Sequence, residues 1–372
     1  MRAFVFTDKA LERHAGQFVW LAIDTENSKN APFLTKYPIN VWPTLMILDP
    51  KKETVALRYS GGATVPQLEK LLKDGERVAR GTKSKADEAI ARGDRLANEK
   101  KNAEAAAAYE EAIKEAPKGW SRLGRAAESL SFALYSAHDY ERCATRAIEL
   151  YPRVKGTYSA ANVASMGLAC ATEKPENRVA IEALENATRE TLENPKIPLS
   201  GDDRSGLYDS LISARVALKD EEGAHKLREQ WAAFLEGEAE KAKTPEQRAV
   251  YDSHRLSVYM ALKQPERAIP MLEQSEKDFP GDYNPPARLG TTYRTMGKYD
   301  EALAAYDRAL TKAYGPRKIG ILRGKADTYA GKGDKESARK VIEEAIRFAE
   351  SLPEGQRSES AIASLKKKLE AL

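Results

Sequence analysis

Apolar positions change rhythm near Lys83. Before it, short apolar runs alternate with turn residues, as in a mixed strand and helix segment. After it, apolar and small residues return every three to four positions, the spacing of one helix face. In the first part, Phe18–Ile23 is an apolar run ending in Asp24 and reads as a buried strand. Ala31–Tyr37 reads as a short helix, and Thr44–Leu48, after Pro43, as a second buried strand. A turn at Asp49-Pro50-Lys51-Lys52 leads to Thr54–Tyr59, whose alternation predicts an edge-side strand. Gly61-Gly62 breaks the chain before a helix that starts at Val65.

Beyond the polar stretch around Gly81, the pattern predicts about seven helix pairs. Three share one set of offsets: Gly93 with Leu96, Ala105, Tyr109, Ala112 and Pro117; Gly290 with Tyr293, Ala302, Tyr306 and Ala309; Ala326 with Tyr329, Ala338, Ile342 and Ala345. Asp139–Ala144 reads as another inter-helix turn, with Pro152 ending its second helix about a turn early. Tyr158–Cys170 with Arg178–Leu192 and Arg204–Leu218 with Glu221–Lys243 give two divergent pairs, and Gln247–Leu262 with Pro265–Asp278 a better one, with Ala268 at the close-approach position and Pro280 as the stop. Thr244 before Pro245 and Glu246 has the form of a helix N-cap followed by proline and an acid. A last amphipathic helix, Ser358–Leu372, would cover the apolar end of the stack.

Small residues near the middle of each first helix, repeating about every 34 positions, resemble the tetratricopeptide repeat family. The best unit is Leu289–Tyr293 followed by Gly297–Ala302. The resemblance implies an α-solenoid that binds a partner protein or peptide on its concave surface. The family's inward positions fall here on Asp87, Ile90 and Asp94; on Asn284, Ala287, Thr291, Arg294 and Thr295; and on Arg323, Asp327 and Ala330. Some members clamp a terminal carboxylate with Lys and Asn. Ala287 with Thr291, and Ile90 with Asp94, do not match that clamp.

The first eighty residues resemble the C-terminal portion of a bacterial thioredoxin-like protein, through Asp24, the Trp42-Pro43-Thr44 tripeptide and Gly61. The resemblance implies a cis-proline loop, Val41, Trp42 and Pro43, that pairs with an extended peptide. It also implies a redox Cys-x-x-Cys placed before Ala3, which this sequence lacks. A chain starting part-way through the domain is one explanation, and a degenerate domain closed by another element is the other. The expected organisation is therefore a partial α/β thioredoxin-like domain at 1–78, a linker at 79–85, helical repeats at 86–353 and a capping helix at 356–372.

Charge adds little to this picture. Sixty Lys and Arg stand against fifty-six Asp and Glu, a net of +4, with both signs interleaved. No basic face for nucleic acid emerges, and Lys366–Lys368 reads as a solvated helix face. No apolar run reaches the length of a membrane span, and residues 1–20 do not form a secretion leader. His14, His138, His225 and His254 share no metal-ligand spacing, and no cofactor motif or catalytic constellation is present. Cys143 and Cys170 read either as two small core residues or as a disulfide between neighbouring antiparallel helices.

The function expected from these readings is a non-catalytic protein-interaction scaffold. The alternative is part of a thiol–disulfide oxidoreductase or isomerase targeted by its repeats; with a lost leader, it would act outside the cytoplasm, in the periplasm.

Overall fold

The computed structural model describes residues 1, 3–39, 41–81 and 84–372. Among these, eighteen α-helices and two strands form. They divide between two compact units, residues 1–17 with 39–235 and residues 18–38 with 236–372. The expected linker at 79–85 includes Thr82 and Lys83, which lie outside the described residues.

In chain order the elements are α1 (Ala31–Lys36), β1 (Thr44–Asp49), β2 (Thr54–Ser60) and α2 (Val65–Ala79). The first unit continues with α3 (Lys85–Asn98), α4 (Asn102–Lys114), α5 (Leu123–Ser136), α6 (Tyr140–Val154), α7 (Ser159–Thr172), α8 (Arg178–Glu193) and α9 (Gly201–Ala217). Then come α10 (Glu221–Glu240), α11 (Pro245–Ala249), α12 (Asp252–Ala261), α13 (Ile269–Asp278), α14 (Asn284–Thr295), α15 (Tyr299–Leu310), α16 (Arg317–Lys332), α17 (Lys335–Ser351) and α18 (Glu359–Glu370). Read as pairs, with α11 and α12 together as one first helix, α3 to α17 make seven.

In the first unit, β1 and β2 form an antiparallel hairpin, Thr44 opposite Ser60 and Asp49 opposite Thr54, with an irregularity at Ile47/Leu48. The strands differ in burial: Val55, Ala56 and Leu57 of β2 are buried, whereas β1 is half-buried up to Leu48. Thr64 and Gln67 cap α2 reciprocally, and Leu68, Leu71 and Leu72 form its buried stripe. The repeats explain their small residues. A Cβ on Gly93 would lie 2.5 Å from the Tyr109 ring, so only glycine lets α3 and α4 approach this closely. Trp231 of α10 donates to Ser205 Oγ of α9 at 2.8 Å, and the Tyr208 and Phe234 rings meet at 5.5 Å.

A disulfide joins Cys143 on α6 to Cys170 on α7, with 6.0 Å between their Cα atoms. Of the two readings of these cysteines, the bonded one is what the fold adopts. Pro152 does not shorten its helix: α6 runs through it to Val154. Proline removes only its own N–H, and so near a helix end the loss is a single hydrogen bond.

In the second unit, Thr244 accepts the Gln247 N–H and starts α11. A Cβ on Gly290 would lie 2.8 Å from the Tyr306 ring, repeating the close approach between α14 and α15. Ala326, Ile342, Ala345 and Ala349 fill the space between α16 and α17, and Ile362 and Leu365 of α18 complete that cluster. The capping helix therefore turns its apolar face onto the last pair.

The sequence reading of Phe18–Ile23 as a buried strand is corrected here. These residues form no strand, and Val19 and Leu21 are 89% and 72% exposed. An apolar run is stable as a central strand only with neighbours on both edges. The sheet among the described residues has two strands, and this run joins neither. Residues 18–38 belong instead to the second unit, where α1 packs near Gly355.

Candidate functional site: helix faces and a buried ionic network

The inward positions of the first pairs are not open. Asp94 is fully buried and Asp87 nearly so, which corrects their placement on an accessible concave surface. Arg125 Nη1 donates to both Asp94 oxygens, at 2.8 and 3.1 Å, and Tyr109 OH donates to Oδ1 at 2.9 Å. Arg122 joins Asp74 of α2, at 2.7 Å through Nε, to Asp87, at 2.5 Å through Nη1. The Trp120 indole N–H adds a bond to Asp87 at 3.0 Å. β2 lies on α3 at the Asp94 end, with Arg58 Nη1 donating to Asn98 Oδ1 at 3.2 Å, while Arg122 and Trp120 cover Asp87.

One repeat on from Asp94 stands Glu128, and one repeat further Asn162. Asn162 Nδ2 bridges Glu128 Oε2 at 3.2 Å and the Tyr59 hydroxyl at 3.3 Å. Burial pushes the Glu128 carboxyl above its ordinary range, opposed by hydrogen bonds from Ser159, Asn162 and Tyr59. Burial likewise raises Asp94, against the pull of Arg125, and raises Tyr59 well above a free phenol, with Glu128 adding to the effect.

Two cavities meet at Tyr59 and Glu128. One, about 100 Å³, is lined by Arg58, Asn102, Phe132 and Asn162 among others. The second, about 280 Å³, opens among α2, the turn before α5 and the start of α7, with Lys70, Arg122, Arg125 and Arg153 in its wall. Nη2 of Arg122 and of Arg125 are buried without a hydrogen-bond partner among the described residues. Buried donors left unmet are costly, and so this wall favours groups that accept hydrogen bonds.

In the second unit the inward positions are more accessible. Asn284 donates to Asp282 Oδ1 at 2.8 Å, and the Thr291 hydroxyl bonds Ala287 O and the Tyr306 hydroxyl, at 3.2 and 3.1 Å. Arg294 is half-buried and its Nε has no hydrogen-bond partner among the described residues; Arg323 is exposed. Asp327 pairs with Lys368 of α18, so the last pair offers less free charge than its sequence implies. That contact also takes Lys368 out of the expected solvated face. Val41, Trp42 and Pro43 form an outward loop before β1, with a cis Trp42–Pro43 bond and Trp42 56% exposed. Among the described residues, Val41, Trp42 and Pro43 line neither of the two cavities at Tyr59 and Glu128.

Arg58, Tyr59, Asp74, Arg122, Arg125, Glu128 and Asn162 were missed from the sequence. For Glu128 and Asn162 a signal existed, since the inward position of Asp94 carried forward one and two repeats lands on them. The arginines carry no such mark, because burial of a charge depends on the hairpin that covers it.

No helix among the described residues is long and apolar enough to cross a membrane. A yeast protein (Saccharomyces cerevisiae), small glutamine-rich tetratricopeptide repeat-containing protein 2, is 29% identical over 116 residues, 31% of each chain. This chain thus spans about a third of that relative's length. Among solved structures, a tetratricopeptide repeat protein from Parabacteroides merdae is similar at a TM-score of 0.47 and 13% identity, over 77% of this chain and 99% of that one. BtubC from P. vanneervenii is similar at a TM-score of 0.42 and 17% identity, over 59% and 96%. Residues 283–351, which build α14 to α17, match the tetratricopeptide repeat family model. With the shared offsets and close-packed helix pairs already described, the chain is mainly helical, and its residues 283–351 carry tetratricopeptide repeats.

Proposed function

We propose that this protein is an interaction scaffold whose helix repeats hold an extended peptide or a partner protein. The observation that carries the reading is the run of pairs at 283–351, where the inner positions Asn284, Thr291 and Arg294 are polar and half-buried and Arg323 is exposed. A stack of helix pairs uses its apolar faces to hold itself together, leaving these side chains to meet a ligand. Residues 1–78 act in this reading as a thioredoxin-like docking part without redox chemistry. Support comes from the order β1, β2, α2 behind the outward loop Val41–Pro43. The Cys143–Cys170 bond supports an oxidising, extracytoplasmic setting, because such bonds persist there.

Selection of a random displayed peptide library on the intact chain tests the proposal. Selected peptides are expected to lose at least tenfold in affinity on Arg294→Ala with Arg323→Ala, the loss of about 1.4 kcal/mol or more. Failure to select any peptide, or selection of peptides indifferent to those substitutions, contradicts it.

A further inference from the structure

Within the second unit, the stretch Asp24-Thr25-Glu26 is held by side chains from three successive loop edges of the repeats. Tyr283, at the start of α14, places its hydroxyl 2.8 and 2.9 Å from the two oxygens of Glu26, and Arg317 Nε lies 3.3 Å from Oε1. Tyr314 OH donates to Asp24 Oδ2 at 2.7 Å, and Gln356 Nε2 donates to the Thr25 carbonyl at 2.9 Å. Gly315 completes the seat: a Cβ there would lie 2.2 Å from the Glu26 carbonyl oxygen.

The receiving groups are two phenols, a guanidinium and an amide, all acting here as donors. They come from the beginning of α14, the α15–α16 turn and the loop before α18. These positions are set by helix packing in the repeats themselves. The segment has little apolar hold at this point, since Val19 and Leu21 just before it are exposed. The stretch folds on itself to present both acids, the Glu26 N–H donating to Asp24 Oδ1 at 2.9 Å and Asn30 Nδ2 to the Asp24 carbonyl at 2.7 Å. Charge-assisted hydrogen bonds therefore define what fits: two carboxylates separated by one residue, with a main-chain carbonyl between them.

We propose that this loop edge is a binding site for acidic Asp-x-Glu peptide segments of a partner protein, with Asp24–Glu26 as its resident occupant. A partner segment binds by displacing the resident one. Both compete for the same donors, and the resident has the advantage of being tethered. The site is on the loop edge and not on the inner helix face, so its failure leaves the proposed scaffold function standing.

The probe is a fluorescein-labelled peptide of residues 23–30, measured by anisotropy with the full chain. Asp24→Asn with Glu26→Gln empties the site, and the probe is expected to bind that chain about tenfold more tightly than the wild type. Adding Tyr283→Phe and Arg317→Gln should abolish the gain. Equal binding to the wild type and the emptied chain overturns the proposal, as does binding that survives the last two substitutions. A measurement on the unaltered protein stands beside these. Excess unlabelled peptide should speed hydrogen exchange across residues 24–30, and the same peptide with Asn and Gln replacing its acids should not. No acceleration by the acidic peptide overturns the displacement.

Discussion

Glu128 shows what burial does to a single carboxyl. Its pKa is raised by loss of water, and so the folded state binds its proton more tightly than the unfolded chain does. The stability it contributes is fully present below its ordinary value of 4.5 and is lost as pH rises through the raised value. Glu128→Gln removes that titration. Melting curves from pH 4.5 to 8 should show wild type gaining on the variant as pH falls, and a constant gap would contradict the assigned burial. Glycines give a second contrast. Gly290→Val would drive methyl groups into the Tyr306 ring and should cost about 1–3 kcal/mol in denaturant unfolding. Gly320→Ala meets nothing within 4 Å on an exposed turn of α16 and should stabilise by about 0.5–1 kcal/mol. Both glycines stand in the sequence alike, but only the one at the repeat's small position announces its contact in advance. The arginines of the buried network had no such marker, since Arg122 and Arg125 look like any surface pair until β2 and α2 are placed over α3 and α5.

At the scale of elements, periodicity carried the helices well and the strands unevenly. All seven helix pairs appear near their expected bounds, because a buried stripe recurring every three to four residues has few other solutions. The hairpin Thr44–Asp49 with Thr54–Ser60 also forms where alternation and turn residues place it. Phe18–Ile23 does not, since an apolar run says only that burial would suit it and never which neighbours supply it. Pro152 was over-read for the opposite reason, as its cost depends on how much helix remains beyond it. The disulfide lies at this scale too, stapling α6 to α7 across 27 residues. Replacing both cysteines by alanine should lower stability by roughly 3–4 kcal/mol in the chain-entropy account, read from urea unfolding with and without reductant. No difference between the oxidised and reduced protein would count against the bond.

At the scale of the whole molecule, the repeats within each unit make a series of neighbour contacts, each pair covering the apolar side of the next. Function in such a design sits on side chains that packing leaves over. In the first pairs those positions are consumed by the chain itself, through the hairpin and the Asp87, Asp94 and Glu128 contacts. In the pairs at 283–351, Asn284, Thr291 and Arg294 stay half-buried and Arg323 exposed, and partner binding is proposed there. The most direct measurement places a photo-crosslinking amino acid at Thr291 or Arg323 on the inner helices, and at Glu344 on α17, in the full chain with a selected peptide bound. Crosslinks at Thr291 and Arg323 with none at Glu344 are the predicted result. Crosslinks at Glu344 alone, or equally at all three positions, would contradict binding on the inner face.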